Sequence, residues 1–440
     1  MVASGCAALG YQIVWTHQAT LWLGHEGAAA LAVVAAFFGG LALGAGCLGA
    51  AVDRSARPGR WYAGCEAAMA SWGLLLAWGL EPASRAINTL LGPAPSAAWQ
   101  AGVTFGGTFF LLLPATLAMG ATLPAMERLL AQLQKQSRAS GANLALLYAG
   151  NTLGGVLGVL GVAFWLVPQW GLSAAALACA LLNAACALAV LWLLPPQALP
   201  AHPTRAATAT KADGPTGHDT ASATLPPLSP LSPTVALTLP LKLPLTLALT
   251  GFLGIGYEVI VLRVLSQVAE NTVYTFALLL AVYLIGTALG AAGWARWGPS
   301  WRAAEPARRA GLLMALCLAC ALSGGALWLA PWFKAGLTLM LGGSFVAALA
   351  AEALLATIAF GLPTLVMGAL FSHLCEAARA QRMRLGTALA LNTAGAALAP
   401  VLLVAGLAAG LGAKLALLTV VGGYLALALA VRRRPGPAGA

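Results

Sequence analysis

Residues 4–24 read SGCAALGYQIVWTHQATLWLG, and residues 244–265 read PLTLALTGFLGIGYEVIVLRVL. Each is an apolar run long enough to cross a bilayer, because about 20 residues rising about 1.5 Å each match about 30 Å of hydrocarbon. Each also carries the same polar signature, Gly10-Tyr11-Gln12 in the first and Gly256-Tyr257-Glu258 in the second. A polar tripeptide repeated inside two membrane-length runs, far apart in one chain, points to a duplicated helical membrane protein.

Ten more runs of this kind fall at about 27–51, 61–80, 101–124, 143–167, 172–195, 272–297, 309–331, 345–371, 385–409 and 411–431. The expectation is therefore an all-α integral membrane protein of about twelve transmembrane helices. Residues 1–195 form one six-helix half and 244–431 the other. Between them, 196–243 is rich in Pro, Thr, Ser and Ala and reads as a flexible linker. Residues 432–440 form a basic tail. The first run has no basic segment before it and no small-residue cleavage site, so it is expected to be a transmembrane helix rather than a removed signal.

Composition agrees. Of 440 residues, 60% are hydrophobic and 8% charged, and mean hydropathy is +0.86, whereas soluble domains carry about 25% charged residues. The net charge of +11 lies in short loops and not on a basic helix with interleaved aromatics, so no nucleic-acid partner is expected. With the N-terminus inside and alternate loops assigned to the cytoplasm, only Arg85, Arg263, Lys334 and Lys414 of the 23 basic residues fall outside. That asymmetry predicts an even helix count with both termini cytoplasmic, in an inner membrane.

Two further matches extend the repeat. Met119-Gly120-Ala121 corresponds to Met367-Gly368-Ala369, after Pro114 and Pro363, and Asn151-Thr152 to Asn392-Thr393. The three separations are 246, 248 and 241 residues. An even number of helices between copies makes the halves parallel, as in the two halves of major facilitator transporters. Gly40 and Gly44 correspond to Gly286 and Gly290; glycines four apart let helix backbones approach closely where lipid supplies no hydrophobic drive.

Polar groups inside the runs are the candidate solute-pathway residues, since a charge at mid-bilayer costs about 2.5–3.5 kcal/mol on insertion scales. They are Tyr11, Gln12, His17, Glu66, Asn151, Tyr257, Glu258, Arg263, Glu352 and Asn392. Gathered across a pseudo-two-fold axis, they are expected to line one central cavity. For the two asparagines, interhelical hydrogen bonding is the plainer reading, and for Arg263 and His17 snorkelling to the interface. Cys317 and Cys320 form a C-x-x-C inside an apolar helix and are expected to be packing residues. No metal, cofactor, phosphate loop or catalytic triad is expected.

The loop Gly49-Ala-Ala-Val-Asp53-Arg54-Ser-Ala-Arg57-Pro-Gly59-Arg60 resembles the major facilitator signature at the same place. The resemblance makes Asp53, Arg54, Arg57 and Arg60 candidates for cytoplasmic gating contacts. Across nearly all of the chain outside the linker, the stretches SGCAALGYQIVWTHQ, FFGGLALGAGCLGAAVDR, WYAGCE, MGATLPAMERL, LLYAGNTLGGVLGVLGVAFWLVPQWGL, PTLVMGALFSHL and GTALALNTAGAALAP are similar to the membrane part of bacterial fused major facilitator/spermidine synthase proteins. That family carries an aminopropyltransferase-like domain after the helices; here Arg432-Arg433-Arg434 and a short tail follow, and His17 stands where the family has arginine. The resemblance implies a major-facilitator-like, transporter-like membrane protein moving a small organic cation such as a polyamine by alternating access, with Glu258 and Glu66 as countercharges. The alternative is a non-transporting scaffold for a separately encoded spermidine-synthase-like enzyme, and a third is a membrane-embedded enzyme.

Overall fold

The computed structural model describes residues 1–23, 26–92, 95–137, 144–193, 242–268, 273–301, 303–341, 344–408, 410 and 412–432. All but the last two residues of the expected linker, and the tail beyond Arg432, lie outside the described residues. Within them the chain is helical, with no strand. The first six segments are α1 (Val2–Leu23), α2 (Glu26–Leu43, continued through a π turn at Gly44–Leu48 to Gly49–Arg54), α3 (Pro58–Leu91), α4 (Ala97–Ser137), α5 and α6. α5 (Leu144–Gly161) runs through a π turn at Val162–Leu166 into Val167–Leu193; Gly171 breaks that segment, and residues 172–193 beyond it are α6. Its φ of 78° is a conformation that glycine adopts without steric cost.

The second set is α7 (Lys242–Leu265), α8 (Val273–Trp297), α9 (Glu305–Ala326, extended by Leu327–Leu329 and Ala330–Leu341), α10 (Phe345–Ala380), α11 (Leu385–Ala399, extended by a π segment at Pro400–Ala408) and α12 (Ala413–Arg432). Nine continuous stretches among the described residues are long and apolar enough to cross a membrane by length and composition. One of them, Leu144–Leu193, is 50 residues long and contains both α5 and α6. The other two segments, α1 and α3, are membrane-length but diluted by Gln12, His17, Gln18, Arg60, Glu66, Glu81 and Arg85.

The two sets pair their helices alike. α1 packs on α5, α2 on α4 and α3 on α6; correspondingly α7 packs on α11, α8 on α10 and α9 on α12. The sets meet through α2 against α11 and α5 against α8, two contacts that a pseudo-two-fold axis interchanges.

Glycine sets these approaches. A Cβ added at Gly44 would stand 1.9 Å from the Leu117 carbonyl oxygen, and one at Gly290 would stand 1.9 Å from that of Leu365. Gly154 meets Val2, and Gly395 meets Ala248, at the same 1.9 Å. No side chain fits at that separation, so the equivalent helix pairs of both halves are in backbone contact.

Arg54, Arg57, Arg60, Arg128, Arg296, Arg308, Arg309, Arg379, Arg382 and Arg384 sit at helix ends on one face of the bundle, called here the basic end; Arg85, Arg263, Lys334 and Lys414 belong to the opposite end.

Candidate functional site

Between the halves lies a cavity of about 230 Å³, just under the usual 300–1,000 Å³ of sites for drug-sized ligands. Its walls come from α1, α2 and α5 of the first half and from every helix of the second. Phe37, Phe38, Leu41, Leu280, Leu284 and Met367 make most of it apolar, while Tyr148, Tyr283 and Tyr424 bring three phenols to it.

Four of the ten expected pathway residues meet here: Gln12, Asn151, Glu258 and Asn392. They are two repeat pairs, Gln12 with Glu258 and Asn151 with Asn392, facing each other across the axis. Asn392 is anchored, its Nδ2 donating to the Leu247 carbonyl at 3.0 Å and to Thr250 Oγ1 at 3.4 Å. Glu258 is the only acidic or basic side chain in the wall, and among the described residues no cation pairs with it.

The other six do not line the cavity. Tyr257 is fully buried on the far side of α7 and donates to the Ala359 carbonyl at 2.8 Å. That carbonyl is the one Pro363 leaves without an N–H donor, since an α-helix bonds residue i to i−4 and proline has no N–H. Tyr11, its counterpart, stacks on Trp15 at 5.0 Å, and its hydroxyl lies against Gly73 of α3 with no hydrogen-bond partner.

Glu66 is fully buried inside the first half, and Glu352, near the opposite end, accepts from Thr275 Oγ1 at 2.8 Å. The expectation that Glu66 and Glu258 share one cavity is thus corrected: α3 packs on α4 and α6, away from the axis. Arg263 is exposed in the last turn of α7. His17 lies outside the cavity wall, its Nε2 buried without a partner.

Toward the basic end the cavity closes. Tyr148 of α5 meets Phe371 of α10 with ring centroids 4.8 Å apart. Beyond them Ala45, Leu144, Cys375, Leu385 and Leu389 pack across the two halves. There Gly386 lies so near α2 that a Cβ would stand 2.5 Å from the Ala45 carbonyl oxygen.

Two ion pairs span the same seam. Arg379 Nη2 lies 2.9 Å from Glu127 Oε1, and Arg384 Nε lies 3.8 Å from Asp53 Oδ2. The Asp53 carbonyl also accepts from Arg128 at 2.9 Å. Of the expected loop residues only Asp53 reaches the other half; Arg54 and Arg60 point to solvent and Arg57 begins α3, with no ion pair among the described residues.

Glu127, Arg379 and Arg384 were not among the expected site residues. Glu127 lies in the MGATLPAMERL stretch, but its partner is 252 residues away in sequence. The Trp294–His373–Glu305 cluster at the basic end of the second half was missed too. There Trp294 donates to Glu376 at 2.9 Å, and His373 Nε2 lies 3.6 Å from Glu305. All eight cysteines, including Cys317 and Cys320, are free thiols.

Twelve helical segments in two parallel sets of six, enclosing a cavity on the axis between them, define a multi-pass membrane protein with the fold of major facilitator superfamily transporters. The chain is similar in structure to the human organic anion transporter MFSD10 (TETRAN), with a TM-score of 0.50 and 15% identity over 98% of both chains. It is also similar to the proton:xylose symporter XylE bound to 6-bromo-6-deoxy-D-glucose, with a TM-score of 0.51 and 14% identity over 97% of this chain and 93% of that one. At such identities the likeness is one of fold. No family model and no curated protein sequence matches the chain. The resemblance to fused spermidine synthase proteins, the bacterial origin it implies and a separately encoded enzyme partner therefore gain no support from these comparisons.

Proposed function

We propose that the protein is a secondary transporter that carries a small organic cation by alternating access, with the cavity between the halves as its binding site. One observation carries this reading: Glu258, a lone carboxylate that no cation pairs among the described residues, faces a small cavity at the meeting of two repeats. A carboxylate held in the membrane usually marks a solute or ion path. Here a cationic solute supplies the missing countercharge. Tyr148, Tyr283, Phe37 and Phe38 add aromatic faces that favour cations by about 0.5–2 kcal/mol each when well placed. Gln12 and Asn151 supply neutral hydrogen-bonding groups across the axis. Polyamines and other short amines belong to this class.

Alternating access needs two states of similar free energy. The seam at the basic end, built from short side chains and two ion pairs, is one such closed gate. The positive-inside rule assigns that end to the cytoplasm, with both termini inside, in a plasma membrane such as that of bacteria. Residues 1–195 and 244–431 then act as two rocking halves joined by the 196–243 linker. The scaffold reading draws no support from the fold or the comparisons.

Uptake of radiolabelled spermidine and putrescine into proteoliposomes tests this. Glu258→Gln is expected to lower uptake at least tenfold, which is about 1.4 kcal/mol; unchanged uptake removes Glu258 from the mechanism.

A further inference from the structure

Behind α1, on the side away from the cavity, the first half holds a second polar cluster. Glu66 of α3 and Asn183 of α6 are both fully buried. Among the described residues neither oxygen of Glu66 and neither amide atom of Asn183 has a hydrogen-bond partner, and the same is true of the Tyr11 hydroxyl. Cys179, Asn183 and Cys186, at successive turns, share one face of α6; Cys179 lies near Tyr11 and Cys186 near Glu66. Tyr11 and Glu66 therefore face each other between α1 and α3, and Asn183 stands between Cys179 and Cys186 on the face of α6 turned toward them.

Five unpaired polar atoms in one half are costly, since a buried group that leaves water without gaining a hydrogen bond loses its solvation uncompensated. The second half shows that the architecture does not require the carboxylate, although the Tyr424 hydroxyl there is likewise buried without a partner among the described residues. The buried face of α6 at Ala175, Cys179, Asn183 and Ala187 recurs on α12 as Ala416, Val420, Tyr424 and Ala428, each 241 residues on. On α9 Leu312, Leu313 and Leu316 are buried along with Arg309 and Ser323, and no buried carboxylate among the described residues corresponds to Glu66.

We propose that Glu66 is a proton-binding site that couples transport to the proton gradient, separate from the solute site at Glu258. This rests on the transporter reading above and assigns the driving ion. The carboxylate takes one proton from water on one side of the membrane, becoming a neutral acid, and returns that proton on the other; nothing else is exchanged. Asn183 and Tyr11 are the groups placed to receive or donate the hydrogen bonds that change between the two forms.

The titratable or charged groups that face the pocket are Tyr11 on α1, Tyr62 and Cys65 on α3, Cys186 on α6 and the Met1 amine; the hydroxyls of Ser4 and Tyr62 face the carboxylate outside hydrogen-bonding geometry. No arginine or lysine is among them, and the Met1 amine forms no ion pair with the carboxylate among the described residues, so a proton is the charge that neutralises it there. Coupling runs through one helix. Tyr11 and Gln12 are neighbours on α1, about 100° apart around its axis; one faces Glu66 and the other the solute cavity. A change of hydrogen bonding at Tyr11 is thereby felt at the cavity wall.

Infrared difference spectra of the full-length protein in lipid nanodiscs, taken through a pH titration with no solute present, test the site directly. The wild type should show a protonated-carboxyl band that responds to pH and is absent from Glu66→Gln, while Glu258→Gln leaves that band in place. Asn183→Leu and Tyr11→Phe keep the carboxyl group and should shift the band, so the result survives poor folding of any one variant. A spectrum unchanged by Glu66→Gln, or a Glu66 band that stays fixed across the titration, overturns the proposal. In proteoliposomes loaded with radiolabelled spermidine, Glu66→Gln should keep solute exchange but lose gradient-driven accumulation at least tenfold, whereas Glu258→Gln loses both. Accumulation unchanged by Glu66→Gln also overturns the coupling role. Failure of the wild type to move spermidine would instead refute the cation-transport reading, with the infrared result still deciding Glu66.

Discussion

Gly44 of the first half and Gly290 of the second each bring a backbone to the same 1.9 Å clearance from the partner helix. Tyr11 and Tyr257, equally matched in sequence, do different things: one hydroxyl faces a buried carboxylate unpartnered, and the other fills the carbonyl freed by Pro363. Backbone contacts have been kept in both halves, while polar interiors have diverged. Such a division is expected when packing sets the fold and only one copy of each polar group is needed for chemistry. The second half contributes the charge of the central cavity, Glu258, where the first has Gln12. The first half keeps its own carboxylate, Glu66, out of that cavity.

The equivalence of the backbones is the part most easily broken. Gly44→Ala and Gly290→Ala should each destabilise the protein by about 1–3 kcal/mol, because the added methyl must displace a helix rather than a side chain. Thermal unfolding in detergent should show similar losses for the two. A loss confined to one half would mean that the matched clearances do not carry matched packing energy.

The divergence of the tyrosines is sharpened by removing one oxygen at a time. Tyr257→Phe strands a buried carbonyl and should cost about 1 kcal/mol. Tyr11→Phe removes a hydroxyl with no partner and should leave stability unchanged or raise it. Equal costs would show that Tyr11 has a hydrogen bond that the structure does not contain.

Much of this was legible in the sequence. Apolar run length fixes the twelve segments, and the Gly-Tyr, Met-Gly-Ala and Asn-Thr matches set the repeat, because helix length and glycine contacts are local demands. The cavity was legible only in part. Gln12, Glu258, Asn151 and Asn392 belong to repeat motifs on the axis-facing helices, whereas Glu66 lies on α3, whose buried face turns toward α6. A polar residue in an apolar run announces that it avoids lipid, but not which neighbouring helix shields it. Tyr148, Tyr283 and Tyr424 gave no signal at all, since a phenol in a helix serves equally as packing. The pairs Glu127–Arg379 and Asp53–Arg384 depend on how the halves dock, which no local pattern records.

Those pairs also differ between themselves. Glu127 is 15% exposed and 2.9 Å from its partner, while Asp53 is 23% exposed and 3.8 Å away. Their arginines are half exposed, so each pair is worth about 0.2–1 kcal/mol at most. Glu127→Gln should therefore open the basic end more than Asp53→Asn, read as faster alkylation of a cysteine placed at Leu144 behind the seam. The reverse order would put the weight on the Asp53 corner, where its carbonyl also holds Arg128.

The smallest expected difference lies between the two asparagines. Asn392 donates two hydrogen bonds to α7, at 3.0 and 3.4 Å. Its counterpart Asn151 lines the same cavity, and its backbone carbonyl lies against Gly5 as that of Asn392 lies against Gly251. Hydrogen bonds between membrane helices average about 0.6 kcal/mol. Asn392→Ala should lower stability by about that amount, while Asn151→Ala should cost less and show its effect in solute uptake instead. The contrast separates a polar group used to hold helices from one left available to a solute. If both substitutions cost the same stability and neither alters uptake, the asparagines are packing residues in both halves, and Gln12, Tyr148 and Thr152 are the polar side chains left across the axis from Glu258.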